Sequence, residues 1–392
     1  MAATVTTETK LTTLREQLPA LSQTGYFNAG TNGPLPRVAH DALVTAADRE
    51  LAAGRIVPGV YQGNWARNRE VTTLLASMFN AEEDEIALTH STSEGLSAAL
   101  MGLAWRRGDE VVTTNLEHPG LFGPLSLLAH RFGVAVRCAD IGTGSGDIAG
   151  AIEQLVTPRT RVIALSHVMW STGAVAPLAE VSAMARRHGA LVFVDGAQSA
   201  GQVPIDLHGC GVDAYAVPGQ KWLCGPEGTG ALYVRRDRLP DIAPTFLRYT
   251  QFEVSGYLIP APGARRYEIG EFYGPAVLAQ NAALSWLRDE VGLDWAYART
   301  AEMGQRVLRG LQGIDGVTLV TPPDRAAGLI CFTAEGLTPQ EVTSQLYERG
   351  MTIRYVDVAP CPPIARISAA WWNTEEEIDA LLAAVAEIVS GE

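Results

Sequence analysis

Lysine is almost absent from this chain: of 30 basic residues only Lys10 and Lys221 are lysines, and the other 28 are arginines. The arginines are scattered instead of forming runs, and the formal net charge is -13 with a pI near 5.1. Both facts disfavour nucleic acid or an anionic membrane as the main partner. The five cysteines, Cys138, Cys210, Cys224, Cys331 and Cys361, are odd in number, far apart and form no Cys-x-x-Cys pair. That argues against a disulfide framework and against a zinc site, so no metal is expected and the thiols are expected to be reduced. No apolar run approaches the roughly 20 residues that cross a bilayer. The Thr-rich start lacks the basic and apolar regions of a secretory signal. The expectation is a soluble cytoplasmic protein.

What is present is an alternation. The 392 residues suffice for one large domain and a smaller companion. Between about residues 84 and 234, β-rich runs alternate with helical patterns. The runs are 85–89, 110–114, 134–138, 161–166, 190–194, 213–217 and 230–234. Such alternation predicts an α/β fold with a mostly parallel seven-stranded sheet and helices on both faces. Beyond about residue 275, helical patterns at 276–290, 294–312, 338–349 and 374–390 mix with short strands near 317–320, 328–333, 351–354 and 364–369. These predict a smaller α+β C-terminal domain. The Pro/Gly-rich stretch 258–264 reads as a loop before a boundary near 270. The expected division is an N-terminal segment 1–25 packing with the small domain, a large domain 26–270 and a small domain 271–392.

Open α/β sheets bind ligands beyond the carboxyl ends of their strands. The residues there are His90 to Ser93, Glu117-His118, Ser166-His167, Asp195 to Gln198, and Gln220-Lys221. Lys221 stands where an apolar stretch enters a glycine-rich turn, unlike a surface lysine on a polar helix face. Unlike arginine, a lysine amine can lose its proton and attack a carbonyl carbon, the chemistry of a Schiff base. Asp195 alone reads as a loop acid or helix cap, but it closes an apolar run and Lys221 follows the next strand. Thr92-Ser-Glu-Gly follows a strand and opens a helix, which suits an anion as well as an ordinary cap. Gly142-Thr-Gly-Ser-Gly146 has Asp147 at the third glycine position of a dinucleotide fingerprint and reads as a turn.

With Asp195-Gly-Ala-Gln198, Lys221-Trp-Leu-Cys-Gly-Pro-Glu-Gly-Thr-Gly230, Ser91-Thr-Ser-Glu-Gly-Leu96, Glu117-His118 and the segment Ala365 to Ile378, the chain resembles the class V aminotransferase family of fold type I pyridoxal phosphate enzymes. The resemblance spans almost the whole chain. It implies pyridoxal 5'-phosphate bound covalently by Lys221, with Asp195 on the pyridine nitrogen and Gln198 on the ring oxygen. His118 would stack on the ring, and Thr92, Ser93 and Gln220 would hold the phosphate. Lys221 and His118 are the implied catalytic residues. Arg366 would clamp the substrate carboxylate with its bidentate fork, with Arg354, Asn28 and Glu271 as further substrate contacts. Two departures stand out: Gln220 occupies a position often held by histidine, and Glu271 one often held by a threonine that reaches the neighbouring subunit's phosphate. The resemblance also implies a homodimer with sites at its interface.

The segments 26–36 and 165–173 look most like those of cystine or cysteine-conjugate carbon-sulfur lyases, and proteins of the isopenicillin N epimerase type share parts of both. The expected reaction is β-elimination from cystine or a cysteine S-conjugate to a thiol or persulfide, pyruvate and ammonia. The alternatives are decarboxylation-coupled oxidative deamination of a cysteine conjugate, epimerisation, transamination, cysteine desulfuration, or a non-enzymatic amino-acid sensor. Cys361 is the candidate desulfurase thiol, but it sits within Pro360-Cys-Pro-Pro363, a stiff stretch. No appended DNA-binding or interaction domain is visible to support a sensor.

Overall fold

The structure is a computed structural model that describes residues 7–247, 260–359 and 361–391. Residues 1–6 of the expected N-terminal segment, positions 258–259 of the Pro/Gly-rich loop and Pro360 lie outside the described residues. The first part of the chain contributes α1 (Thr7–Arg15), β1 (Gly25–Tyr26), α2 (Arg37–Ala53) and α3 (Val60–Met78). The alternating region follows as β2 (Ile86–Thr89), α4 (Thr92–Met101), β3 (Glu110–Thr114), α5 (Pro119–Phe132), β4 (Ala135–Ala139), α6 (Ile148–Glu153) and β5 (Thr160–Ser166). It continues with α7 (Leu178–Arg187), β6 (Leu191–Asp195), α8 (Leu207–Cys210), β7 (Ala214–Pro218) and β8 (Gly230–Val234).

These strands form one seven-stranded sheet in the order β2-β8-β7-β6-β5-β3-β4, with β8 alone antiparallel to its neighbours. The central strands are apolar runs buried on both faces, as Val192-Phe-Val194 shows. Helices cover each face, giving two core layers. Leu96, Leu121, Leu125 and Phe193 belong to one, and Leu165, Val194, Tyr215 and Val217 to the other. All seven strands fall within a residue or so of the sequence expectation. Glu85, expected to begin the first, instead sits in a short 3-10 turn where its carboxylate accepts from Glu82 N.

The rest of the chain contains α9 (Gly274–Trp286), a π-turn at Leu287–Val291, α10 (Leu293–Gln312), β9 (Val317–Leu319) and β10 (Leu329–Ala334). Then come α11 (Pro339–Glu348), β11 (Met351–Thr352), β12 (Arg354–Val356), β13 (Ile364–Ser368) and α12 (Glu375–Ser390). A second, antiparallel sheet runs β12-β13-β10-β9. Helix α9, beyond the expected boundary at 270, packs against α2 through Ala39, Ala279 and Ala283, and also against α3. The N-terminal segment lies on the C-terminal elements. β1 pairs in parallel with β11, and Arg15 forms an ion pair with Glu377 on α12 at 2.5 Å.

Two long helices, α2 and α3, have no counterpart in the sequence reading. Ala39 is the only fully buried residue of α2, and Val44 and Leu51 are exposed. The apolar stripe that reveals a helix is therefore weak. Among the described residues, no helix is long and apolar enough to cross a membrane, and no cluster of His, Cys, Asp or Glu is arranged to hold a metal.

Candidate active site

The segments that follow β3, β5, β6 and β7, the start of α4 and strands β12 and β13 of the second sheet surround a cavity of about 280 Å³. Its lining includes Thr92, Ser93, His118, Asp195, Gln198, Gln220, Lys221, Arg354 and Arg366. Nine of the eleven site residues expected from the sequence thus meet in one place.

Lys221 is placed by the turn after β7. Gly33 holds that turn from outside: its N–H donates to Gln220 O at 2.8 Å, and a side chain at Gly33 would collide with the Lys221 carbonyl oxygen. Burial lowers the amine's pKa to about 8, with Arg366 pushing the same way and Asp195 opposing. About a tenth of Lys221 is therefore the free amine at pH 7, far more than for an ordinary lysine. Asp195, 4% exposed, ends β6, and its Oδ1 accepts from Ala197 N at 2.8 Å. Burial raises its pKa and Lys221 counters that.

His118 caps α5, with Nδ1 accepting from Gly120 N at 2.9 Å, so its ring proton sits on Nε2. Burial, Lys221 and Arg366 lower its pKa to about 4, and Trp170 packs edge-on at 4.7 Å. It is a neutral imidazole wall. Gln198 is fixed at both ends: Nε2 donates to Gly30 O at 2.8 Å and Oε1 accepts from Trp222 Nε1 at 3.0 Å. One Nε2 hydrogen remains for a ligand.

Helix α4 begins under the cavity, its cap Ser91 accepting from Glu94 N at 3.2 Å. The first amides of a helix attract an anion. Beside them, the hydroxyl Thr92 Oγ1, which can donate to an anion, is buried without a partner. Such groups carry a desolvation cost unless a ligand satisfies them.

Arg366 is 3% exposed on β13. Its Nη1 donates to Trp170 O at 3.0 Å, its Nη2 to Thr31 Oγ1 at 3.4 Å, and its Nε is unpartnered. Burial lowers its pKa to about 10. Arg354 lies opposite it on β12 and is exposed.

Asn28 and Glu271 do not line the cavity. Asn28 stands behind it, its Oδ1 accepting from Thr31 Oγ1 at 2.8 Å, so the lining residue of that segment is Thr31. Glu271 is exposed, with Arg67 near enough to feel its charge. Sequence reasoning missed Thr31, Gly30 and Trp170, although each lies in a segment already singled out. His167 lies behind the site: its N–H donates to Asp195 O at 3.0 Å and its Nδ1 meets Tyr215 OH at 2.8 Å. Glu117 was also passed over as a titratable group. It is fully buried, receives 2.6 Å bonds from Thr114 and Ser166, and burial raises its pKa to about 7.

The donor set fits pyridoxal phosphate. A poised amine, a buried carboxylate, an aromatic wall and an anion-binding helix start with the orphaned Thr92 hydroxyl match its aldehyde, ring nitrogen, ring face and phosphate.

The comparisons agree with this fit. The sequence profile of the family described as Aminotransferase class-V matches residues 27–381, so the chain belongs to that family. It is 32% identical to the cystine C-S lyase C-DES, solved with its product cysteine persulfide, at a TM-score of 0.89 over 95% of this chain and 99% of that one. A C-DES variant with glycine linked to its pyridoxal phosphate gives a TM-score of 0.90 at the same identity and coverage. Among curated relatives, a probable cysteine desulfurase of Methanothermobacter thermautotrophicus is 29% identical, covering 96% of this chain and 97% of its own. Isopenicillin N epimerase of Streptomyces clavuligerus is 30% identical, covering 93% and 95%. The chain is a pyridoxal phosphate enzyme of the C-S lyase and cysteine desulfurase type.

Proposed function

We propose that the enzyme is a carbon-sulfur β-lyase that converts cystine or a cysteine S-conjugate to a persulfide or thiol, pyruvate and ammonia. The observation that carries this reading over desulfuration is the position of Cys361. Desulfuration needs a thiolate that takes the sulfur from bound cysteine. Cys361 is 5% exposed, does not line the cavity, and has its thiol pKa raised by burial. Among the described residues, no other cysteine lines the cavity. With no thiol to accept it, sulfur leaves carrying the bonding electrons. The resemblance to a cystine C-S lyase over nearly the full length supports the same choice.

When bound, pyridoxal phosphate supplies an electron sink for charge that develops at the substrate's Cα. Thr92, Ser93, Gln220 and the first turn of α4 hold its phosphate, Asp195 keeps a proton on its ring nitrogen, Gln198 donates to its ring oxygen, and His118 covers its ring. Arg366 grips the substrate α-carboxylate through its fork. Lys221 would hold the cofactor through Nζ and, as a free amine, would take the proton from the substrate's Cα. The Cβ–S bond then breaks with its electron pair on sulfur. One water converts the resulting enamine to pyruvate and ammonia.

The test is incubation of the holoenzyme with cystine, cysteine S-conjugates and cysteine. Pyruvate, alanine, inverted amino acid, and carbon dioxide with peroxide are each measured. Pyruvate from a sulfur substrate supports the reading, and its absence from all of them rejects it.

A further inference from the structure

His118 reaches the cavity from a short connection between β3 and α5, residues 115–118. The three residues before it are each tied to a different part of the core. Asn115 is anchored at the end of β4, where its N–H donates to Ala139 O at 3.0 Å and its Oδ1 accepts from Ile141 N at 3.0 Å. Leu116 is buried in the core, and its N–H donates to Thr114 Oγ1 at 3.3 Å. Glu117 is fully buried and does not line the cavity. Its Oε1 accepts from Thr114 Oγ1 at 2.6 Å and its Oε2 from Ser166 Oγ at 2.6 Å. Thr114 ends β3 and Ser166 ends the neighbouring β5, so one carboxyl group bridges two strand ends. The His118 imidazole, in contrast, has only the local bond from Gly120 N and the edge of Trp170 to hold it.

Burying a carboxyl group is costly. Burial pushes the Glu117 pKa to about 7, with Asp195 acting the same way and the bonds from Ser166 and Thr114 opposing. Groups perturbed in this manner cluster at functional sites. Thr114 Oγ1 already accepts from Leu116 N, so its own hydrogen goes to Glu117, whereas Ser166 Oγ can either donate to the carboxylate or accept from the protonated acid. The two strand ends therefore stay bridged in both protonation states. A glutamine can make the same bridge, its Oε1 accepting from Thr114 and its Nε2 donating to Ser166.

We infer that Glu117 is a positioning residue for His118: by bridging the ends of β3 and β5 it fixes the direction in which the connection leaves β3, and with it the place of the imidazole in the cavity wall. It acts through His118 and touches neither cofactor nor substrate. Its effect on the cofactor rests on the reading that His118 covers the ring of bound pyridoxal phosphate, and its effect on His118 does not.

The test reads His118 directly, by nitrogen NMR of the histidine-labelled holoenzyme, with His118→Ala identifying its signals. In the wild type and in Glu117→Gln, His118 should show one tautomer, with the proton on Nε2. In Glu117→Ala the two ring-nitrogen signals should move toward each other as the Gly120 bond becomes intermittent. The cofactor gives a second readout, through its visible circular dichroism and its dissociation constant. Glu117→Ala should weaken cofactor binding by about fivefold and reduce the dichroism, and Glu117→Gln should preserve both. In the His118→Ala background, adding Glu117→Ala should weaken binding by less than about twofold, because the two changes remove one contact. Ser166→Ala, which removes one of the two bonds, should move the His118 signals in the same direction, and it decides the question should Glu117→Ala fail to fold. Unchanged His118 signals, or losses in cofactor binding that add in full to those of His118→Ala, overturn the inference. Shifted His118 signals together with an unaltered cofactor in His118→Ala uphold the bridge while rejecting the placement of His118 over the ring.

Discussion

At the scale of single residues, the site is defined by charges held where water cannot fully solvate them, and each shifted group gives a measurable consequence. Lys221 has its pKa lowered to about 8 by burial. The rate at which cofactor-free protein captures pyridoxal phosphate should therefore rise with pH through a midpoint near 8, followed by absorbance, and Lys221→Ala should not attach it covalently. A midpoint near 10 would mean the amine is not desolvated as described. Arg366 acts through a planar fork already oriented by Trp170 O and Thr31 Oγ1. Arg366→Lys keeps the charge but loses that fork, so KM should rise about tenfold or more with a smaller fall in kcat. Glu117 has a folded pKa near 7, above its ordinary value of 4.5. Between those pH values the unfolded chain has released the proton and the folded chain has not, so stability falls as pH rises across that window. Glu117→Gln should flatten this fall, a difference of order 2–3 kcal/mol in chemical denaturation at pH 5 and pH 8.

At the scale of elements, the strand ends were legible because continuous apolar runs such as Leu191-Val-Phe-Val194 stop at a polar residue. That rule alone placed Asp195, His118 and Lys221 at the same edge of the sheet. Contacts between distant segments were not legible. Nothing in the local pattern around Asn28 says that Thr31 faces the cavity while Asn28 supports it from behind. The role of Gly33 likewise depends on a turn far away in sequence. Gly33→Ala should cost about 2–3 kcal/mol, measured by denaturant unfolding, because its methyl meets backbone that cannot yield. The start of α4 gives an opposite expectation. Thr92 Oγ1 is buried without a partner in the protein, so Thr92→Val should leave the Tm of the cofactor-free protein unchanged or raise it. The same change should weaken cofactor binding by about tenfold, since a charge-assisted bond to phosphate is lost.

At the scale of the whole molecule, composition and alternation were enough to place the seven-stranded sheet and the short strands of the C-terminal part, whereas α2 and α3 escaped notice because much of their apolar surface is not buried within the chain. Leu51, Ile56, Tyr61 and Trp65 are all more than half exposed there. Clusters of exposed large apolar residues mark association sites, so we propose this face as the interface of a homodimer. Sedimentation at low concentration should give twice the chain mass, and Leu51→Asp combined with Ile56→Asp should give the monomer. The central claim concerns the fate of sulfur, and the most direct measurement follows the products from cystine and from cysteine in the wild-type holoenzyme and in Cys361→Ser. The account predicts pyruvate from cystine in both proteins, with no alanine from cysteine in either. Alanine from cysteine that disappears in Cys361→Ser, with no pyruvate from cystine, would contradict it.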